Sequence, residues 1–250
     1  MVVSRDHVIH AGLGPFAVAN AQLGGFSRQA WAYVKRSTEP VIAARKHVIL
    51  VGVETRMAKQ PTTLYSAAEY LAMERASSEK HEYAFGEIFA MTGASVTHNR
   101  IVTNLVLAIG NQLRGRPCDV FTGDLRLCVE REYRYTYPDM VVVCGEPQFL
   151  DNQFDTLLNP DVIVEVLSDS TSSYDRGEKF EQYRGISSFR EYLISDQARV
   201  HVEVFSKQTD NAWRFWESNS LHETVHLTSV DVSIPIAEIY LRTEFVPGAA

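Results

Sequence analysis

Two acidic residues beside β-branched runs are the clearest candidates for chemistry in this chain. Asp139 precedes the run 140–143, and Glu165 lies within the run 162–167. Runs this rich in Val and Ile are typical of strands buried on both faces, where an ionised carboxylate is costly unless it is paired or binds a metal. A divalent cation between two such carboxylates would offset both their burial and their mutual repulsion, and Mg²⁺ prefers oxygen ligands.

The elements that must position these acids are predicted from periodicity and turn residues. Ser66 and Glu69 form a capping box at the start of a helix, and Gly86 separates the two strands of a hairpin. The predicted elements are helices 67–74, 98–114 and 175–183 and strands 82–85, 88–92, 120–130, 134–144, 162–168, 191–195, 200–206 and 213–217. This order predicts an α/β (α+β) fold in which Asp139 and Glu165 lie on adjacent central strands of a mixed sheet.

Composition limits the class of protein. The chain has 250 residues, of which 45% are hydrophobic, enough for one sizeable domain with an appendage. The longest apolar run, 48–53, is far shorter than the roughly 18 residues of a membrane span, so no membrane association is expected. Three cysteines without metal-ligand spacing predict reduced, partly buried thiols and a cytoplasmic protein.

The first 56 residues differ in charge from the rest of the chain. Residues 1–57 carry seven Lys and Arg against three Asp and Glu, a balance of +4, so the remainder must carry −11 to reach the total of −7. We therefore predict a boundary near Met57, with an N-terminal extension at 1–56 and the principal domain at 57–250. The extension is either an accessory arm or upstream sequence included by an early start, and the second interpretation is favoured.

An ordered series of motifs resembles the PD-(D/E)XK nuclease superfamily and, within it, the Uma2-like family of restriction endonucleases. Pro138 and Asp139 head one strand, Glu165 follows on the next, and the predicted order of elements matches a restriction-endonuclease-like core with added β-hairpins. The segments that carry the resemblance are 82–88, His98, 137–139, 164–168, 174–180 and 190–193.

This resemblance implies metal-dependent hydrolysis of phosphodiester bonds. Asp139 and Glu165 would hold Mg²⁺, with Mn²⁺ as an alternative, and the metal would activate a water for in-line attack. The superfamily has a lysine two residues after the glutamate, but that position is Leu167 in this chain. In Uma2-like proteins a lysine of the following helix takes its place, and Lys179 matches it. Glu82 would be a further ligand or water-positioning acid.

The two proposed metal ligands also have structural interpretations. Asp139 could be a strand-end residue that accepts hydrogen bonds from nearby amides. Glu165 could form a buried ion pair with Arg126 or Arg176, since perturbed buried acids mark functional sites only in a probabilistic sense. We place the metal role ahead for both acids, because each lies beside a run of buried apolar residues.

The remaining candidates have similar alternatives. Lys179 could be an ordinary i, i+4 partner of Asp175 on a solvated helix face. Glu82 could form a salt bridge at the hairpin edge. His98 could carry protons or contact phosphate, but a helix-start residue bonded to a loop is the safer interpretation.

The leading hypothesis is a DNA endonuclease, and a homodimer is expected from the need to cut both strands. RNA or nucleotide substrates remain alternatives, as does an inactive module that binds nucleic acid or protein on the same scaffold. A body of net charge −11 binds a polyanion only through a local basic strip. The residues expected to form this strip are Arg126, Arg131, Arg134, Arg176, Arg184 and Arg190.

Overall fold

The computed structural model describes residues 63–168 and 172–245, so the predicted extension at 1–56 lies outside the described residues. The helices are α1 (Ala67–Ala76), α2 (Val96–Leu113), α3 (Ser172–Tyr174), a π-helix (Asp175–Lys179), α4 (Phe180–Tyr183) and α5 (Ile236–Ile239). The strands are β1 (His81–Ala84), β2 (Glu87–Ala90), β3 (Cys118–Thr122), β4 (Arg126–Glu130), β5 (Arg134–Thr136), β6 (Met140–Cys144), β7 (Thr156–Leu157), β8 (Val162–Leu167), β9 (Glu191–Asp196), β10 (Val202–Lys207), β11 (Trp213–Ser218), β12 (Thr224–Leu227) and β13 (Val232–Pro235).

The largest sheet has six strands in the order β11-β10-β9-β8-β6-β3. It is mixed, because β8 and β9 are parallel whereas β6 and β8 are antiparallel, with Met140 opposite Val164. All six residues of β8 are buried, as the continuous apolar run predicted. The adjacency of the strands that carry Asp139 and Glu165 is therefore confirmed.

A second sheet has five strands in the order β2-β1-β5-β4-β7. The prediction of single long strands at 120–130 and 134–144 was wrong, because each segment forms two strands that belong to different sheets. The first segment turns at Gly123, where Leu125 N–H bonds Thr122 O, and the second stops at Pro138, which has no N–H for a ladder. A Cβ built on Gly123 would lie 3.5 Å from Pro138 O, so the two breaks are neighbours.

Helix α2 covers one face of the six-stranded sheet. Its buried residues Ile101, Leu105, Ile109 and Leu113 recur at helical spacing and belong to the largest apolar cluster. The helix begins where Ser95 Oγ accepts the N–H of His98, so the sequence-based boundary at His98 was two residues late. No helix among the described residues has the length and apolarity needed to cross a membrane.

The cysteines depart from the sequence-based expectation. Cys118 and Cys144 form a disulfide, so the prediction of three reduced thiols was wrong. The reason is strand register, because the two residues lie directly opposite each other on β3 and β6. Sequence spacing carried no sign of this pairing, since it depends on the break at Pro138. Cys128 remains a free, buried thiol.

The fold depends on a buried acid that ties β9 to its neighbours. Glu191, at the start of β9, accepts five hydrogen bonds from the hydroxyls of Ser206, Thr228 and Ser229 and from two backbone amides. We expect Glu191→Ala to lower the free energy of unfolding by about 3 kcal/mol, because it removes five hydrogen bonds to an ionised carboxylate and leaves the buried Ser206 hydroxyl without its acceptor. Urea denaturation measures this loss, and the exposed Glu223→Gln serves as the control. Equal stability of the two variants would contradict the prediction.

Candidate active site between the two sheets

Asp139 lies between Pro138 and the first residue of β6, and its side chain is 23% exposed. Its Oδ2 accepts two hydrogen bonds, one from the backbone N–H of Val166 at 2.7 Å and one from His98 Nε2 at 3.1 Å. The first bond joins β6 to β8 through a side chain, and the second joins both strands to α2. Together they fix the orientation of the carboxylate.

Glu165 lies on β8 beside Asp139 and is only 4% exposed. Its Oε1 accepts hydrogen bonds from Lys179 Nζ at 3.0 Å and from the Tyr183 hydroxyl at 2.9 Å. Both donors come from the segment that follows β8, which packs over the strand. The carboxylate of Glu165 is therefore held by this helical segment, while its backbone is part of β8.

Each of the two acids has one oxygen held and one oxygen left open. Among the described residues, neither Asp139 Oδ1 nor Glu165 Oε2 accepts a hydrogen bond from another described residue. Hard carboxylate oxygens suit Mg²⁺, which commonly uses one or two carboxylates and completes its shell with waters and substrate phosphates. The described part of the chain contains no group of three or more His, Cys, Asp or Glu side chains placed to hold a metal. Two carboxylates are a donor set of the kind that Mg²⁺ accepts, and the metal itself stays a prediction.

Lys179 is surrounded by carboxylates. The lysine is 7% exposed, and its Nζ lies 3.0 Å from Glu165 Oε1, 3.2 Å from Asp175 Oδ1 and 3.4 Å from Glu82 Oε1. Only the Glu165 contact has hydrogen-bond geometry, so the oxygens of Asp175 and Glu82 are buried without an aligned donor among the described residues. Glu82 comes from β1 of the five-stranded sheet, and the ammonium group therefore joins the two sheets.

Burial and charge act on these groups in opposite senses. Burial raises the pKa of Glu165 to about 8, and Asp175 and Asp139 add to the rise while Lys179 opposes it. Burial alone would lower the pKa of Lys179, but Glu165 and the other nearby acids raise it well above its usual value. The nearby acids thus favour the ammonium form of the lysine, and burial favours the protonated form of Glu165.

The structural alternatives for these residues can now be compared with the geometry. Glu165 pairs with neither of the arginines considered, because Arg126 contacts Asp155 and Arg176 contacts Glu203. Lys179 does pair with Asp175 at i, i+4, but on a buried face and not on a solvated one. The catalytic roles of Asp139, Glu165, Lys179 and Glu82 stay predictions.

The arginines expected to form a basic strip divide between surface and interior, since Arg131, Arg184 and Arg190 are exposed. Arg126 and Arg134 are buried, and Arg134 is bound to Glu178 and to the Tyr174 hydroxyl. Arg176 is paired with Glu203, and Arg184 lies over the ring of Phe180. Of the six, only Arg126 and Arg134 are therefore withdrawn into the interior of the fold.

Three site residues were missed or undervalued by the sequence. Tyr183, whose hydroxyl bonds Glu165, was not among the predicted site residues. Asp175 was considered only as a surface partner of Lys179, and His98 was expected to bond a loop, whereas its ring bonds Asp139. The i, i+4 and i, i+8 spacing of Asp175, Lys179 and Tyr183 on one helical segment was the available signal.

Comparison with known proteins agrees with this geometry at the level of family. The family model for Uma2, described as a putative restriction endonuclease, matches residues 67–237. The chain belongs to the Uma2 family. The resemblance read from the motifs is therefore confirmed, and the match includes Asp139, Glu165 and Lys179.

Two uncharacterised proteins of Synechocystis sp. and one solved structure are similar to this chain. One protein, sll1609, is 39% identical over 156 residues, covering 62% of this chain and 88% of its own length. The other, slr1290, is 34% identical over 185 residues, covering 74% and 96%. The crystal structure of a putative nuclease belonging to DUF820 from Anabaena variabilis has a TM-score of 0.58 at 18% identity, covering 70% of this chain and 97% of its own. This likeness confirms the predicted fold class.

The raised pKa of Glu165 predicts a pH-dependent stability in EDTA. Between pH 4.5 and about 8 the folded state holds a proton on Glu165 that the unfolded state releases, so the free energy of unfolding falls as pH rises. Glu165→Gln lacks this titration. We expect its stability relative to the unsubstituted protein to increase steadily across this range, measured by urea denaturation.

The exposed Glu181→Gln, on the same helical segment, is the matched control and should show a constant difference from the unsubstituted protein. A constant difference for Glu165→Gln as well would contradict the assignment of the proton to Glu165.

Proposed function

We propose that the protein is a metal-dependent endonuclease that hydrolyses phosphodiester bonds, with DNA as the favoured substrate. The observation that carries the proposal is the arrangement of Asp139, Glu165 and Lys179. Glu165 lies on β8 and Asp139 directly precedes the neighbouring β6. Each acid has one oxygen that no other described residue bonds, and the buried Lys179 ammonium donates to the other oxygen of Glu165. A homodimer and a cytoplasmic location remain part of the proposal.

The residues proposed to hold Mg²⁺, or Mn²⁺ in its place, are Asp139 and Glu165. When bound, the metal would supply Lewis-acid activation of a water and neutralise the scissile phosphate. Asp139 would bind the metal through Oδ1, because its Oδ2 accepts hydrogen bonds from Val166 and His98. In the same way Glu165 presents Oε2, because Lys179 and Tyr183 hold its Oε1.

Lys179 is proposed to orient the attacking water and to stabilise negative charge as it develops on the phosphate. An ammonium group fixed in a water-poor site stabilises such charge far more than a solvated one does. Its hold on three carboxylates keeps it protonated, so it acts here as a donor and an electrostatic group, not as a base. Glu82 is proposed to assist by fixing the ammonium from the opposite sheet.

The favoured substrate must approach an acidic protein. The net charge is −7, and three of the six arginines considered for a basic strip, Arg126, Arg134 and Arg176, are paired with acids. Binding of a phosphodiester is therefore proposed to depend on the metal more than on the field of the protein surface. This predicts weak nucleic-acid binding in EDTA and tighter binding with the metal present.

Substitution of the site residues tests the proposal. In assays of plasmid, linear and single-stranded DNA with Mg²⁺, Mn²⁺ or EDTA, we expect Asp139→Asn and Lys179→Met each to lower kcat by about 10²-fold or more. Asp139→Asn removes a metal ligand, so excess metal should partly restore its activity. Lys179→Met leaves both ligands in place, so excess metal should not restore it.

The matched control is Asp119→Asn on β3, an exposed acid of the strand next to β6. Its activity should equal that of the unsubstituted protein. Cleavage that persists unchanged in Asp139→Asn, or that proceeds equally in EDTA, would overturn the proposed metal site. Cleavage of RNA in preference to DNA would overturn the choice of substrate alone.

A further inference from the structure

Asp175 is a buried acid whose position the proposed reaction does not yet explain. It lies at the first residue of the π-helix, its side chain is 4% exposed, and Oδ1 has no aligned hydrogen-bond donor among the described residues. The same Oδ1 is 3.2 Å from Lys179 Nζ. A buried carboxylate oxygen without a donor is costly, and among the described residues the charge of Lys179 compensates it.

The proposed metal creates a problem that Asp175 can solve. An ammonium group and a divalent cation that share the carboxylate of Glu165 repel each other. Because the lysine side chain is long and flexible, this repulsion can move the ammonium away from Glu165. The two proposed metal ligands, Asp139 and Glu165, carry two negative charges against the three positive charges of the metal and the ammonium. Additional carboxylates in contact with the ammonium offset this repulsion, and these are Asp175 and Glu82.

We propose that Asp175 is a positioning residue that, together with Glu82, holds the Lys179 ammonium against Glu165 while a metal ion shares that carboxylate. This inference rests on the proposed function and deepens it by adding a residue that acts through Lys179.

The local backbone is suited to such a role. The π-helix carries Asp175 and Lys179 within one wide turn, and turns of this kind often mark functional sites. The Tyr192 hydroxyl, from β9, donates to the backbone carbonyl of Asp175 at 3.2 Å and so fixes this turn to the sheet. Asp175 is therefore held in place independently of its charge, and Asn can replace it with little change of shape.

The kinetic test is a double-mutant cycle on the full chain with Mg²⁺. Because a misplaced ammonium stabilises the transition state poorly, Asp175→Asn should lower kcat by about 10- to 100-fold and leave KM unchanged. Asp175→Glu, which keeps the charge, should recover part of the loss. In a Lys179→Met background Asp175→Asn should have no further effect, because the residue it positions is gone.

A second cycle measures the same pair without metal or substrate. In urea denaturation in EDTA, Asp175→Asn should be less destabilising in the Lys179→Met background than in the unsubstituted protein, since only the latter contains the attraction. Glu181→Gln, on α4, is the control and should shift both backgrounds equally. Lys179→Gln provides the background if Lys179→Met does not fold.

The outcomes separate the two proposals. Additive effects of Asp175→Asn and Lys179→Met on stability would overturn the positioning role whatever the activity. A fall in kcat of Asp175→Asn that persists undiminished in the Lys179→Met background would also overturn it. Absence of metal-dependent cleavage by the unsubstituted protein would overturn the proposed function, and the stability cycle would still decide whether Asp175 holds Lys179.

Discussion

The candidate site buries more acidic side chains than basic ones, and the surrounding structure depends on how this excess of negative charge is compensated. Glu165, Asp175 and Glu82 surround the single ammonium of Lys179, and Asp139 lies on the next strand. Buried like charges raise the free energy of a fold unless protons or cations compensate them. Burial favours a proton on Glu165, and in the proposed site a divalent cation would compensate the acids further. A site that is electrostatically incomplete by itself is suited to bind a metal reversibly.

The break of two long strands makes this site possible. If 134–144 were one continuous strand, Arg134 and Asp139 would belong to one sheet, and Glu82 could not approach Lys179 from the other. Pro138 ends the pairing with β1 and allows the chain to enter the six-stranded sheet at Met140. The residue at that entry point is Asp139, so the acid is placed where the backbone has left one ladder and not yet joined the next.

The sequence allowed prediction of features that depend on local pattern. The adjacency of the strands bearing Asp139 and Glu165 followed from two successive β-branched runs, and α2 followed from its apolar period. Features that depend on which strands pair could not be read this way. The disulfide Cys118–Cys144 is set by register, and the partners of Arg126 and Arg134, namely Asp155 and Glu178, come from segments distant in sequence. Buried polar contacts of this kind are fixed by tertiary packing alone.

The replacement of the superfamily lysine by Leu167 has a packing explanation. Leu167 is 1% exposed and shares the face of β8 with Ile163 and Glu165, where it belongs to the apolar cluster that includes Tyr183. A lysine there would place its charge among apolar side chains on the strand itself. Lys179 instead contacts the Glu165 carboxylate from the helical segment that packs on β8. The residues beside Glu165 on this face of β8 therefore stay apolar. A lysine on the helical segment needs carboxylates near that segment to compensate its ammonium group. Asp175, at the start of the π-helix, is such a carboxylate.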